Sequence, residues 1–200
     1  MLLAVQHSAA EHVRALTKNV RLALLCQRVV GQTCLHMAVR MKAQKPSEPR
    51  LDIVRALLEA GGRVLANIQQ RDLESRSRHG ASALDIAAQG ECLVTTQALL
   101  EVDSETLMMH CKKKGETCLH VGVAVGCIPV LQALLKAGGL RLAIVCDASG
   151  NTCLHIAACH GRLAVVDELV QLGGLELLAM RNNDGATCLF LAAQSGDAAV

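Results

Sequence analysis

Gly150-Asn151-Thr152-Cys153-Leu154-His155-Ile156-Ala157-Ala158 decides how this sequence folds, because the chain repeats it in near copy. Gly115 precedes Thr117-Cys118-Leu119-His120 and Gly185 precedes Thr187-Cys188-Leu189-Phe190; together with Gly80, these glycines fall 35 residues apart. A fixed period of this size marks a supersecondary module too small to bury its own apolar face, so that stacked neighbours must build one continuous core. Such a chain offers a surface for binding more readily than a pocket for chemistry.

A further copy, Thr33-Cys34-Leu35-His36 after Gly31, lies 49 residues before Gly80 and at first breaks the period. Two insertions account for the excess. Gly31 to Leu57 takes 26 residues where Gly150 to Leu169 takes 19, and Gly62 to Gly80 takes 18 where Gly139 to Gly150 takes 11. Each excess is 7 residues, and the period is intact beneath them.

Within one unit, Thr152 followed by Leu154, Ile156, Ala157 and Ala158 predicts a short helix whose capping hydroxyl accepts a bond from a first-turn amide. Gly161 ends it. Leu163, Val165, Val166, Leu169 and Val170 then recur at helical spacing, a second apolar stripe closed by Gly173-Gly174. Arg181-Asn182-Asn183-Asp184-Gly185 carries the Asn and Asp residues of a tight projecting turn. The unit reads as helix, turn, helix, finger.

These residues resemble the ankyrin repeat: its T-P-L-H-x-A signature matches Thr33 to Ala38 and Thr152 to Ala157, with Cys standing where Pro is usual. The fold expected is therefore all-α, an ankyrin-like helix-turn-helix solenoid with projecting finger loops. Residues 1–200 are read as a single array. Its divisions are a degenerate partial unit over 1–30, with Ala9 to Asn19 as a second helix; a unit with both insertions over 31–79; units over 80–114, 115–149 and 150–184; and a truncated unit over 185–200. The Gly80 unit departs from the pattern at two places: Asp85 takes the histidine position and Glu91 the inter-helix glycine position. The family period is normally 33 residues; the two extra ones fall in Leu140 to Val145 and Leu175 to Met180, so the finger base differs from the common form. Met1 falls where only the tail of a first helix would stand and Val200 where a second helix should begin, so the expectation is one segment of a longer array.

The hydrophobic share is 52% and the net charge only +2, the composition of a folded chain. No stretch is long and apolar enough to span a membrane, since Leu140 to Cys146 already carries Arg141, and Met1 to Val5 is too short for a signal peptide core. Ten cysteines without such a signal point to a reducing compartment and free thiols, hence by default the cytoplasm, with the nucleus as the alternative.

Cys34, Cys118, Cys153 and Cys188 occupy equivalent places in successive units. Packed helices sit about 8–10 Å apart, beyond the roughly 4.4–6.8 Å between Cα atoms that a disulfide needs, and zinc sites gather their ligands in tight pairs. The cysteines read as small apolar fillers and the histidines as packing and hydrogen-bonding residues, with no metal and no cofactor. A thiol at a helix amino end can also have a lowered pKa, which would leave it oxidation-sensitive. No G-x-S-x-G, phosphate-binding or H-E-x-x-H motif occurs, and the adjacent Cys159 and His160 point about 100° apart on a helix and cannot face each other. The chain is not expected to be an enzyme.

The resemblance implies a protein-binding scaffold or adaptor that docks partners on the concave face formed by finger tips and first helices. Carried over by position, the candidates are Arg76, Arg78, His79 and Ala81; Lys112, Lys113, Lys114 and Glu116; Ala148, Ser149 and Asn151; and, on the first helices, Gln89, Ala124, Val125, Cys159 and His160. The cations among them call for a protein partner with an acidic face, bound by a monomeric array. The alternative is salt-sensitive binding of nucleic acid or another polyanion through basic fingers. Against base stacking, Phe190 is the only aromatic residue among Phe, Trp and Tyr.

Overall fold

The computed structural model describes residues 10–18, 25–27, 32–40, 48–68, 80–102 and 115–196. These hold ten helices and no extended strand: α1 (Ala10–Thr17), α2 (Cys34–Arg40), α3 (Glu48–Ala66), α4 (Ala83–Gln89), α5 (Leu93–Val102), α6 (Cys118–Val125), α7 (Ile128–Ala143), α8 (Cys153–Cys159), α9 (Leu163–Ala179) and α10 (Cys188–Ser195). The chain divides into two compact units, residues 1–107 and 108–200.

In the first unit, α2 packs on α3 and α4 on α5, the two helices of each repeat, while α2 also meets α4 and α3 meets α5 between repeats. Helix α1 packs on α3. Val54, Leu57 and Leu58 of the expected stripe are buried, with Ile53 beside them, and Leu51 is half-buried. The two insertions fall at residues 41–47 and within 69–79, both outside the described residues.

The second unit repeats the scheme at strict 35-residue spacing: α6 with α7, α8 with α9, then α6 to α8 to α10 and α7 to α9 between repeats. Leu131, Leu134, Leu135, Val165 and Leu169 are buried. Val170, expected in the same interface, is only half-buried, and Leu163, expected in the stripe, is 43% exposed because it opens the helix at its outer end.

The glycine pairs correct one expectation. They break the second helix without closing it: Gly62, Gly139 and Gly174 have φ of +51°, +56° and +51° with ψ near the extended range, and helix then resumes to Ala66, Ala143 and Ala179. A side chain at these dihedrals is strained, which explains the second glycine. The first is needed for room: a Cβ at Gly61 would lie 2.5 Å from Cβ of Leu65, and one at Gly173 would collide with Leu177. Leu65, Leu142 and Leu177 are buried by folding back in this way. The two extra residues of the period thus stand in a third, short helical turn at the base of the finger.

Candidate partner-binding surface

The fingers of the second unit are built by their own polar side chains. Asp147 Oδ1 accepts from the backbone amides of Ser149 (2.9 Å) and Asn151 (2.8 Å), and 35 residues on Asn182 Oδ1 accepts from those of Asp184 (3.1 Å) and Ala186 (2.9 Å). The backbone closes each turn the same way, Asp147 N–H to Asn151 O and Asn182 N–H to Ala186 O, both 2.9 Å. A short Asx side chain folding onto amides two and four residues ahead is the reason these residue types stand here.

Successive fingers are then tied to each other. Asn183 donates its backbone N–H to Ser149 O and its Nδ2 to Ala148 O, both at 3.0 Å, and Asn182 Nδ2 donates to Asn151 Oδ1 at 3.0 Å. The close approach needs Gly150, at φ +78°: a Cβ there would lie 2.5 Å from Asn183 Oδ1 and 2.6 Å from its amide nitrogen. Gly115, at φ +73°, likewise leaves room for the amide of Ala148.

The histidines hold the fingers to the helices. Nε2 of His120 lies 3.2 Å from Asn151 O, and Nε2 of His155 lies 3.2 Å from Ala186 O, each carbonyl one repeat ahead. A carbonyl only accepts, so Nε2 carries the proton and Nδ1 is bare. Nδ1 of His155 then accepts from the backbone N–H of Thr152 at 3.3 Å and from its hydroxyl at 2.8 Å; His120 does the same with Thr117 at 3.1 and 2.8 Å, and Nδ1 of His36 with Thr33 at 3.2 and 2.7 Å. The imidazole here plays the part a glutamate plays in a capping box. Burial pushes the pKa of His120 and His155 down, partly opposed by the charge of Asp147 and, for His120, Glu116. The threonine hydroxyls therefore do more than the expected amide capping. Where no Nδ1 is on offer the simpler bond appears: Thr187 Oγ1 accepts from the amide of Phe190 at 3.4 Å.

Cys34, Cys118, Cys153 and Cys188 are buried fillers, as expected. The lowered thiol pKa is not observed. Burial raises Cys34 to about 11 and pushes Cys153 and Cys188 up as well, so the desolvation of the thiolate outweighs the helix amino end. Among the described residues no cluster of three or more His, Cys, Asp or Glu is arranged to hold a metal, and no helix is long and apolar enough to cross a membrane.

Of the sequence-predicted binding residues, the second unit exposes Ala148, Ser149, Ala124, Cys159 and His160, while Glu116, Val125 and Asn151 are half-buried. Asn151 is largely committed to the finger ladder. In the first unit Gln89 is exposed, but Ala81 is only 8% exposed and leads directly into the buried cap Ser82, so it is no surface residue. Arg76, Arg78, His79, Lys112, Lys113 and Lys114 lie outside the described residues.

Sequence reasoning missed three surface residues. Asn183 and Asp184 form the exposed tip of the next finger, and the 35-residue offset from Ala148 and Ser149 was enough to find them. Arg162 is exposed, donates from Nη2 to Ala124 O at 3.3 Å, and lies over Gly126, where a Cβ would meet its guanidinium at about 3.1–3.3 Å. No repeat signal marks it, because the equivalent position one repeat earlier is Cys127.

Models of ankyrin repeats match residues 30–73 and, in a three-copy form, residues 139–200, together more than half of the sequence. The chain belongs to the ankyrin repeat family. Among solved structures it is similar to the ankyrin repeat domain of Bcl-3, described as a unique member of the IκB protein family. The two are 28% identical with a TM-score of 0.74, over 96% of this chain and 76% of that one. A comparison with curated proteins gave no match. Ankyrin repeats make this a protein-interaction repeat domain.

Proposed function

We propose that this protein is a non-catalytic scaffold or adaptor that docks a protein partner across its finger tips and the carboxyl ends of its first helices. The carrying observation is the ladder of Asn182 and Asn183 onto Ala148, Ser149 and Asn151. It fixes two neighbouring tips at one spacing before any partner arrives, which lowers the ordering cost of binding. Rigid loops on a repeat scaffold are where recognition residues concentrate.

The exposed tips of the second unit, Ala148, Ser149, Asn183 and Asp184, carry one charge among them, so they contribute shape and hydrogen bonding. Charge selection falls to Arg76, Arg78, His79 and Lys112 to Lys114, and an acidic partner face follows from their sign. The division into repeats drawn from the sequence, a monomeric array, and a cytoplasmic or nuclear setting complete the proposal.

Two sets of substitutions test it on a partner captured from cell extract. Reversing Arg76, Arg78, Lys112, Lys113 and Lys114 to Glu should slow association tenfold or more at low salt and leave helical content unchanged. Replacing Ala148 and Ser149 by Arg should raise the dissociation rate. Binding unaffected by both sets would remove the finger face from the interaction, and a partner lost on nuclease treatment would show that the ligand is a nucleic acid.

A further inference from the structure

Arg162 opens the second helix of its own repeat, yet its side chain is seated on the repeat before. Nη2 donates to Ala124 O at the carboxyl end of α6, and Cδ, Nε and Cζ lie over Gly126, where a Cβ would come within 3.3, 3.1 and 3.2 Å of them. A long side chain laid against backbone in this way has given up most of its rotamer freedom before anything binds. A guanidinium carries five N–H donors. The bond to Ala124 O engages one of them, and no carboxylate among the described residues pairs with the charge. A cation at a helix carboxyl end is favourable in itself, which accounts for the seat but not for a fork left open to solvent.

The surface beside that fork is uncharged. Helices α6 and α8 contain no Asp, Glu, Lys or Arg. Ala124 and Cys159 are exposed on them, and Val121 and Ile156 are half-buried. The strip runs from the finger end of the first helices to Arg162, and α8, at seven residues, covers about 10 Å of it. Of the four cations in the described part of the second unit, Lys136 and Arg141 stand on α7 and Arg181 bonds to Gly185 O within its own finger, so the charge at the end of the strip is that of Arg162. We propose that Arg162 anchors the protein partner through an Asp or Glu carboxylate, on a segment whose neighbouring apolar side chains lie along Val121, Ala124, Ile156 and Cys159. An unpaired cation at the end of a neutral strip selects the sign, and its planar fork takes both oxygens of a carboxylate. Extended chain crosses about 10 Å in roughly three residues, so the acidic and apolar residues stand close together in the partner's sequence. The inference rests on the scaffold reading above and names what that scaffold recognises in its second unit.

The test pans random twelve-residue peptides displayed on phage against the 200-residue chain. Enriched peptides should carry Asp or Glu within about three positions of Leu, Ile, Val or Met. For such a peptide Arg162→Gln should weaken binding roughly tenfold or more, and exchanging the peptide's acid for its amide should cost as much on the parent chain but little on the Arg162→Gln chain. Arg162→Lys keeps the charge and loses the fork, so it should recover only part of the affinity. A purely structural Arg162 would lower Tm in the Arg162→Gln chain and leave the discrimination between acid and amide intact. Peptides whose acid matters equally on both chains, or that carry none, would overturn this proposal and leave the scaffold reading standing. A chain that enriches no peptide would overturn both. A single-stranded oligonucleotide that displaces the peptide from the parent chain but not from Arg162→Gln would make the ligand a nucleic acid and overturn the proposal as well.

Discussion

The Gly150 repeat and the Gly80 repeat solve the same local problem with different chemistry. In the first, Thr152 and His155 cap the helix and the other ring nitrogen goes on to Ala186 O in the next finger. In the second, Asp85 Oδ2 accepts from the Ser82 amide at 2.7 Å and hydroxyl at 3.0 Å, and Ser82 Oγ accepts the Asp85 amide at 3.2 Å. Both caps are buried and closed by reciprocal bonds of this kind. The far end of the imidazole is an N–H, which donates to a carbonyl, whereas both oxygens of a carboxylate only accept. Histidine therefore turns a helix cap into a link between repeats through a donor that aspartate does not carry.

Breaking the apolar packing should have the largest effect. Leu134→Ala empties a site with no solvent exposure beside Gly122 and should cost about 2–5 kcal/mol, read as a lower urea midpoint with little change in slope. Leu99→Ala, equally buried in the Gly80 repeat, should cost a similar amount. Equal losses would show that the two repeats differ in their polar ties and not in their cores.

His155→Ala addresses the tie itself. It leaves the Thr152 amide without its acceptor and Ala186 O with the Asn182 amide but without the imidazole N–H, at a cost of roughly 1–3 kcal/mol. The location of the damage discriminates. Amide exchange should accelerate in the finger at Asn182, Asn183 and Ala186 as well as in α8, whereas Asp85→Ala should loosen chiefly the start of α4. A His155→Ala effect confined to α8 would reduce the histidine to a cap.

Acid offers a milder break. Burial lowers the pKa of His120 and His155 in the folded chain, so below the ordinary histidine value of about 6.5 the unfolded chain takes up protons that the native state resists. Their contribution to stability is complete above that value. It declines as pH falls toward the lowered folded pKa and is constant below it. Replacing both residues by Asn should flatten this part of the stability–pH curve, measured by urea unfolding between pH 7 and 5.

The helices, their order and the 35-residue period were legible because hydrophobic spacing and turn residues are local signals. So were the caps, down to the departures at Asp85 and Glu91. The third helical turn after each glycine pair was not: Leu175 to Ala179 has no cap or breaker of its own, and its position depends on Leu177 folding back over Gly173. Solvent exposure was harder still. Ala81 and Ala148 are the same residue type in neighbouring parts of the repeat, and packing alone buries one and exposes the other.

The smallest expected effect is a gain. Glu91 holds φ at +55°, the left-handed region, at the turn where Gly126 has +86° and Gly161 +61°. An L-residue there is strained by about 1–2 kcal/mol, because its Cβ crowds the following carbonyl. Glycine removes the strain but adds freedom to the unfolded chain, which takes back part of the benefit. Glu91→Gly should therefore stabilise by roughly 0.5–1 kcal/mol, bringing the Gly80 turn to the standard of the other two. Thermal unfolding of the variant beside Gly161→Ala tests both directions at one backbone position. The first should melt higher and the second lower. If Glu91→Gly melts lower, then the glutamate side chain, exposed as it is, contributes more than its backbone costs.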